Sequence, residues 1–212
     1  MNRFELKKVV IEALKNRDLE KIARLALEHP RTISILFSLS YDKDSLITWR
    51  AIEAMGEVVK EIARRSREDA REIMKRLLWS ITEESGGLGW SSIEMISEVI
   101  VKSPEVFSDV ALLIPEYFDE PVFRESVLYA IWRIGKERPE LLERDAVKEV
   151  LSEALKSEDP EIQGLALLIL KDCGGNLGLE GIDRSGIKVK QNNQIRIYNN
   201  GNFKYLTFNE IL

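Results

Sequence analysis

One cysteine, one histidine and six prolines in 212 residues exclude several classes of protein at once. Cys173 has no second cysteine to form an intrachain disulfide, and a lone thiol cannot build a thiolate zinc cluster. A single histidine, His29, excludes a multi-histidine metal site, including repeated histidine–glutamate iron ligation. No metal and no organic cofactor are therefore expected. No apolar run approaches the ~18 residues that a membrane-spanning helix needs. The first residues, MNRFELKKVVIEALK, alternate charged with apolar side chains and lack the uninterrupted core of a signal peptide. The expectation is a soluble, cytoplasmic protein without a membrane partner. Scarce proline beside 44% apolar residues excludes a collagen-like or wholly disordered chain and leaves enough apolar surface for a packed core.

What is there is helical spacing, from residue 2 to about 172. Leu6, Val9, Val10, Ala13 and Leu14 form one apolar stripe. Ile47, Ala51, Ala54, Met55, Val58 and Ile62 form a second, and Val147, Val150, Leu151, Ala154 and Leu155 a third. Each stripe leaves a charged opposite face, as expected of an outer helix layer. The breaks are short: His29-Pro30, Tyr41 to Asp44, Ser103-Pro104, Asp119 to Pro121, and Ser157 to Pro160. Ser or Asp before Pro suits a helix start, because the first helical position loses nothing when its N–H is missing. Helices joined by such short turns are expected to stack as antiparallel pairs.

The pairs repeat. Pro121 precedes Gly135 by the same interval that separates Pro160 from Gly174, and the two copies lie 39 apart. Upstream, Glu53 to Val59 matches Glu94 to Ile100 at an offset of 41. Aligning Val58, Val99, Ile134 and Cys173 gives spacings of 41, 35 and 39, the period of a two-helix solenoid unit. The start Glu120-Pro121-Val122-Phe123-Arg124 and the end Ala130-Ile131-Trp132-Arg133-Ile134-Gly135 resemble a HEAT repeat of the phycobilisome-lyase type. LLWSITEESGGLGWSSIEMISEVI with TWRAIEAMGEVV is similar to an uncharacterised prokaryotic family of HEAT-like proteins. In the fourth unit Gln163 stands where that repeat usually carries Arg. The resemblance implies an all-α right-handed superhelix of the ARM/HEAT type and no particular reaction. Residues 1–175 form the expected repeat domain, with capping helices over 1–30 and about four units over 33–174.

After Cys173 the pattern changes. Gly178, Gly181 and Gly186 mark a linker. Ile187 and Val189, Ile195 and Ile197, and Phe203 and Tyr205 then alternate with polar residues at period two. Gln191-Asn192-Asn193 and Asn199-Asn200-Gly201 supply turns, the Asn-Gly pair being the stronger hairpin signal. A small antiparallel hairpin or meander of two or three strands, followed by a short tail over 207–212, is expected to pack on the last repeat within a region 176–212. Residues 181–212 carry five basic and two acidic side chains, while the whole chain is at −5.

Candidate functional residues are few. Glu83-Glu84-Ser85-Gly86-Gly87-Leu88-Gly89-Trp90 replaces a short inter-helix turn with three glycines. Its amides form either an anion-binding nest or a bend that packs Trp79 and Trp90. It is not a phosphate-binding Walker loop, because no Lys-Ser or Lys-Thr pair follows. Trp49-Arg50 and Arg124 fall at the starts of second helices, where they either line a recognition surface or bond neighbouring repeats. The expected patch therefore comprises Trp49, Arg50, Glu84, Ser85, Gly86, Gly87, Gly89, Trp90 and Arg124, with an acidic peptide or carboxylate as its complement. Trp132 and Cys173 read as core, His29 as a helix-end cap, and Arg64-Arg65-Ser66-Arg67 as a solvated turn.

No catalytic set stands out, so the expected function is a non-catalytic protein–protein interaction or scaffold module. Two alternatives accompany it. HEAT-like enzymes that excise alkylated bases use tryptophans and an acid, but the acidic body opposes nucleic-acid binding. A lyase-like chaperone is suggested by the repeat's family name alone.

Overall fold

A computed structural model describes residues 1–82, 91–183, 187 and 193–212. The described chain is mostly helical, ending in a two-stranded antiparallel sheet. It divides into two compact units, residues 1–107 and 108–212. The division falls within α7 (Pro104–Ala111), where Phe107 leaves helical geometry at φ −127° and ψ 16°. Among the described residues, no helix is long and apolar enough to cross a membrane.

The first unit holds α1 (Arg3–Lys15), α2 (Leu19–Glu28), α3 (Arg31–Ser38), α4 (Leu46–Ala63), α5 (Arg67–Thr82) and α6 (Ser92–Lys102). The breaks at His29-Pro30, Tyr41–Asp44 and Ser103-Pro104 all fall between helices. Asn2 caps α1 in a reciprocal box with Glu5, and Asp18 caps α2 through the amide of Lys21. Ser103 departs from the expected helix start: its buried hydroxyl makes no hydrogen bond among the described residues, and its carbonyl receives the amides of Val106 and Phe107 instead. α4 packs along α2 on one side and α6 on the other.

That placement changes one expectation. α4 is not an outer helix with a charged solvent face. Every residue of α6 from Ser92 to Val101 is buried, and Glu53 of α4 is buried with them. α1 does keep the expected outer face, with Leu6, Val10, Ala13 and Leu14 buried.

The second unit holds the end of α7, a 3-10 turn over Pro115–Asp119, another over Pro121–Phe123, α8 (Arg124–Glu137), a third over Pro139–Leu141, α9 (Arg144–Ala154) and α10 (Pro160–Cys173). Asp159 caps α10 with Pro160 at the first helical position, as its sequence predicts. α8 and α10 pack along each other.

β1 (Gln194–Asn199) and β2 (Asn202–Thr207) pair around Asn200-Gly201. Both turn residues have positive φ, 51° and 89°, the geometry that a two-residue hairpin connection requires. Ile195 and Ile197 face α10, and the close approach depends on Gly164: a Cβ there would lie 2.3 Å from Ile195 Cγ2. The register sets Phe203 opposite Tyr198 and Tyr205 opposite Arg196. Directly paired residues share a face, so these two aromatics lie on the side of the sheet away from Ile195 and Ile197. The third candidate strand, at Ile187 and Val189, falls largely outside the described residues. The tail is a short helix, α11 (Phe208–Ile211), opened by a Thr207–Glu210 capping box.

Candidate interaction surface

The glycine-rich loop, with Glu84, Ser85, Gly86, Gly87, Gly89 and Trp90, lies outside the described residues. Trp49 and Arg50 belong to the first unit and Arg124 to the second. Trp49 is buried, and its indole Nε1 donates to the Lys43 carbonyl at 2.8 Å. Arg50 Nη1 donates to the carbonyls of Leu14 and Lys15, at 3.1 and 2.5 Å, and so satisfies the C-terminal end of α1. Arg124 Nη2 pairs with Glu153 Oε1 at 2.6 Å, its Nε donates to the Phe118 carbonyl, and its guanidinium stacks 5.0 Å from the Phe118 ring centre. Both guanidinium groups are thus engaged by carbonyls and carboxylates of this chain. An acidic ligand would have to displace those partners, so neither arginine is poised to receive one.

Glu53 of α4 and Glu94 of α6, which match at an offset of 41 in the sequence, are both buried. Each pairs with a cation from an inter-helix turn. Arg17, between α1 and α2, grips Glu53 with both prongs, at 3.0 and 2.6 Å. Lys43, between α3 and α4, pairs with Glu94 Oε1 at 2.6 Å, and Glu94 Oε2 has no hydrogen-bond partner among the described residues. The difference follows from the donors: a guanidinium fork spans both carboxylate oxygens, whereas an ammonium is a point charge. Serines fill the polar surroundings, with Ser91 Oγ donating to the Ser40 carbonyl and Ser80 Oγ sharing a hydrogen bond with Ser92 Oγ.

A surface recess of the second unit lies between the Pro115–Asp119 turn and α9. It is a groove of about 260 Å³. Pro115, Phe118, Ala146 and Val150 supply its apolar floor, and Glu116, Asp119, Glu149 and Glu153 its rim. On α9 the spacing does this work: Ala146 and Val150, and Glu149 and Glu153, are each four apart and therefore neighbours on the helix surface. Arg124 pairs with Glu153, while Glu116, Asp119 and Glu149 have no ion-pair partner among the described residues. The Tyr117 hydroxyl is pushed above its ordinary range, first by burial and then by the negative charge of Glu116. Leu112, Leu113 and Val122, in the same 112–122 stretch, are 53%, 36% and 53% exposed.

Charge follows the same division. Residues 1–107 carry eighteen basic and eighteen acidic side chains, whereas residues 108–212 carry thirteen basic and eighteen acidic, a net −5.

The remaining candidates are structural. Trp132 is buried and donates to Asp172 Oδ2 at 2.9 Å, with Lys136 over its ring. Cys173 is buried, and desolvation, followed by the charge of Asp172, pushes its thiol up to about 12. At His29 the helix-end bond comes from the backbone amide, which donates to the Leu25 carbonyl at 2.7 Å. No protein family, curated protein or solved structure matches the chain.

Proposed function

We propose that the chain is a non-catalytic protein-interaction module, built as a short right-handed HEAT-like superhelix closed by its C-terminal hairpin. Support for the repeat comes from Glu53 and Glu94, which match in the sequence alignment of successive units. Each lies on a second helix, and each is neutralised by a cation of the turn before the preceding second helix. The side-by-side packing of α2, α4 and α6 in the first unit, and of α8 and α10 in the second, is the arrangement that such a repeat needs.

The observation that carries the functional reading is the surface of the second unit. Three large aliphatic side chains, Leu112, Leu113 and Val122, stand in solvent within one short stretch, next to an acid-rimmed groove with an apolar floor. Exposed apolar surface joined to unneutralised charge is what a partner covers. A photo-crosslinking residue placed at Leu112 tests this in the native cell. A single discrete partner band, absent when the residue is placed at exposed Lys156, is expected. A protein that migrates as a free monomer and yields no crosslinked band from either position overturns the reading.

A further inference from the structure

We infer that the groove between the Pro115–Asp119 turn and α9 is a receptor for a cationic, amphipathic peptide segment of the partner; this rests on the interaction-module reading above. Three observations fix the chemistry. First, the rim acids Glu116, Asp119 and Glu149 are exposed and lack ion-pair partners among the described residues, so their charge is left for a cation from outside. Second, two residues that line the groove, Phe118 and Glu153, already hold one guanidinium of this chain. Arg124 lies against the Phe118 ring, donates to the Phe118 carbonyl and pairs with Glu153. An aromatic face, a carbonyl and a carboxylate are the three elements that recognise arginine, and the rest of the groove offers carboxylates in excess of that one cation. Third, charge complementarity selects the sign, since the unit that bears the groove, residues 108–212, carries −5.

The apolar floor selects amphipathic character. Val150 and Ala146 lie one helical turn apart, so aliphatic side chains spaced along a peptide seat on the floor while its lysines or arginines reach the rim. A bare divalent cation fits the site poorly. Among the described residues no group of three His, Cys, Asp or Glu side chains is placed to hold a metal ion.

The test uses the full chain and a fluorescein-labelled peptide alternating lysine pairs with leucine, read by anisotropy. Its lysine-to-glutamate counterpart serves as the control. Binding of the lysine peptide is expected to weaken at least about tenfold in the double variant Glu116→Lys/Glu149→Lys, and comparably when salt is raised from about 50 to about 300 mM. Both replaced side chains are exposed and unpaired among the described residues, so folding is expected to be retained and is checked by circular dichroism. Glu140→Gln/Glu158→Gln, which removes acids outside the groove, is expected to leave affinity within about twofold. Arg124→Gln vacates Glu153 and the Phe118 face and is expected to leave binding intact or tighter. Equal affinity for the lysine and glutamate peptides, or equal loss in the groove and control variants, overturns the inference. So does displacement of the peptide by millimolar calcium at matched ionic strength. A partner crosslinked at Leu112 with no peptide binding refutes the cationic occupant alone, whereas failure of both experiments refutes the module reading as well.

Discussion

Replacing Lys43 by methionine removes the cation bonded to Glu94 and keeps most of the side-chain volume. Glu94 is 1% exposed, and its other oxygen already lacks a partner among the described residues, so the substitution strands a buried carboxylate. Breaking one side of a buried ion pair costs about 3–5 kcal/mol. The Lys43 side chain is 28% exposed, so water screens part of the attraction and the lower end applies, about 3 kcal/mol. With a urea m-value of about 2 kcal/mol/M for a unit of this size, the midpoint of the first unit should fall by about 1.5 M. Glu94→Met in the Lys43→Met background removes the stranded charge and should recover most of the loss, giving a favourable coupling between the two sites. Lys43→Arg is the converse perturbation. Its fork is able to reach Oε2 as Arg17 reaches both oxygens of Glu53, and a gain of about 1 kcal/mol is expected. Urea titrations of the four proteins, followed by tryptophan fluorescence and by circular dichroism, measure all of this. A Lys43→Met cost no larger than that of an ordinary surface substitution, about 0.5 kcal/mol, would refute the buried-pair argument. So would a double variant as unstable as the single.

Three further outcomes follow from packing and charge. Gly164→Ala drives a Cβ into Ile195 and Phe208, at 2.3 and 2.9 Å, and should cost about 1–3 kcal/mol. Hydrogen exchange should show faster amides over residues 194–211 while α8 and α9 stay protected. The Cys173 thiol, buried and raised to about 12, should resist alkylation at pH 8 in the native protein and react on denaturation, so rapid native labelling would contradict its placement. Glu143 and Glu210 are held below the ordinary carboxylate range by the amides of Ala146, Asp145 and Thr207, so their stabilisation is complete above that range and lost as pH falls through their folded values. Glu161 has the opposite sign: burial and then Glu125 raise it, so its charged form is disfavoured at neutral pH. Glu161→Gln, which keeps an acceptor for the Arg196 amide, should stabilise the protein at pH 7 and lose that advantage in acid, as thermal melts across pH will show.

The helices were legible because their apolar stripes are long and their breaks are chemically explicit. Asp159-Pro160 starts α10 and Asn200-Gly201 turns the hairpin for reasons that need no tertiary context. Burial on the opposite face was not legible. Glu53 falls on the face of α4 that reads as charged and solvent-facing, because a sequence pattern does not reveal that α4 has neighbours on both sides. The same blindness hid the pairing at Glu94. Lys43 lies far upstream of it, and nothing local connects an inter-helix turn to the first turn of a later helix. The tail was a different case. Thr207 and Glu210 carry the i, i+3 spacing of a capping box, so α11 was written locally, and its shortness concealed it behind the period-two pattern before it.

Arg124 illustrates why residue type indicates a site more readily than a role. An arginine at the start of a second helix suggested a donor for an acidic partner. Its guanidinium instead pairs with one carboxylate of a groove whose remaining charged side chains are also carboxylates. The sign of a recognition surface is set by the charge left over after internal pairing. Here four rim acids meet one cation, and among the described residues only Glu153 is paired. The two spacings of four on α9, Ala146 to Val150 and Glu149 to Glu153, put an apolar strip beside an acidic strip in the sequence itself. What the sequence lacked was the opposing wall. Pro115 and Phe118 reach that wall through a 3-10 turn too short to carry a helical period, and with them the acidic strip becomes a groove with a sign.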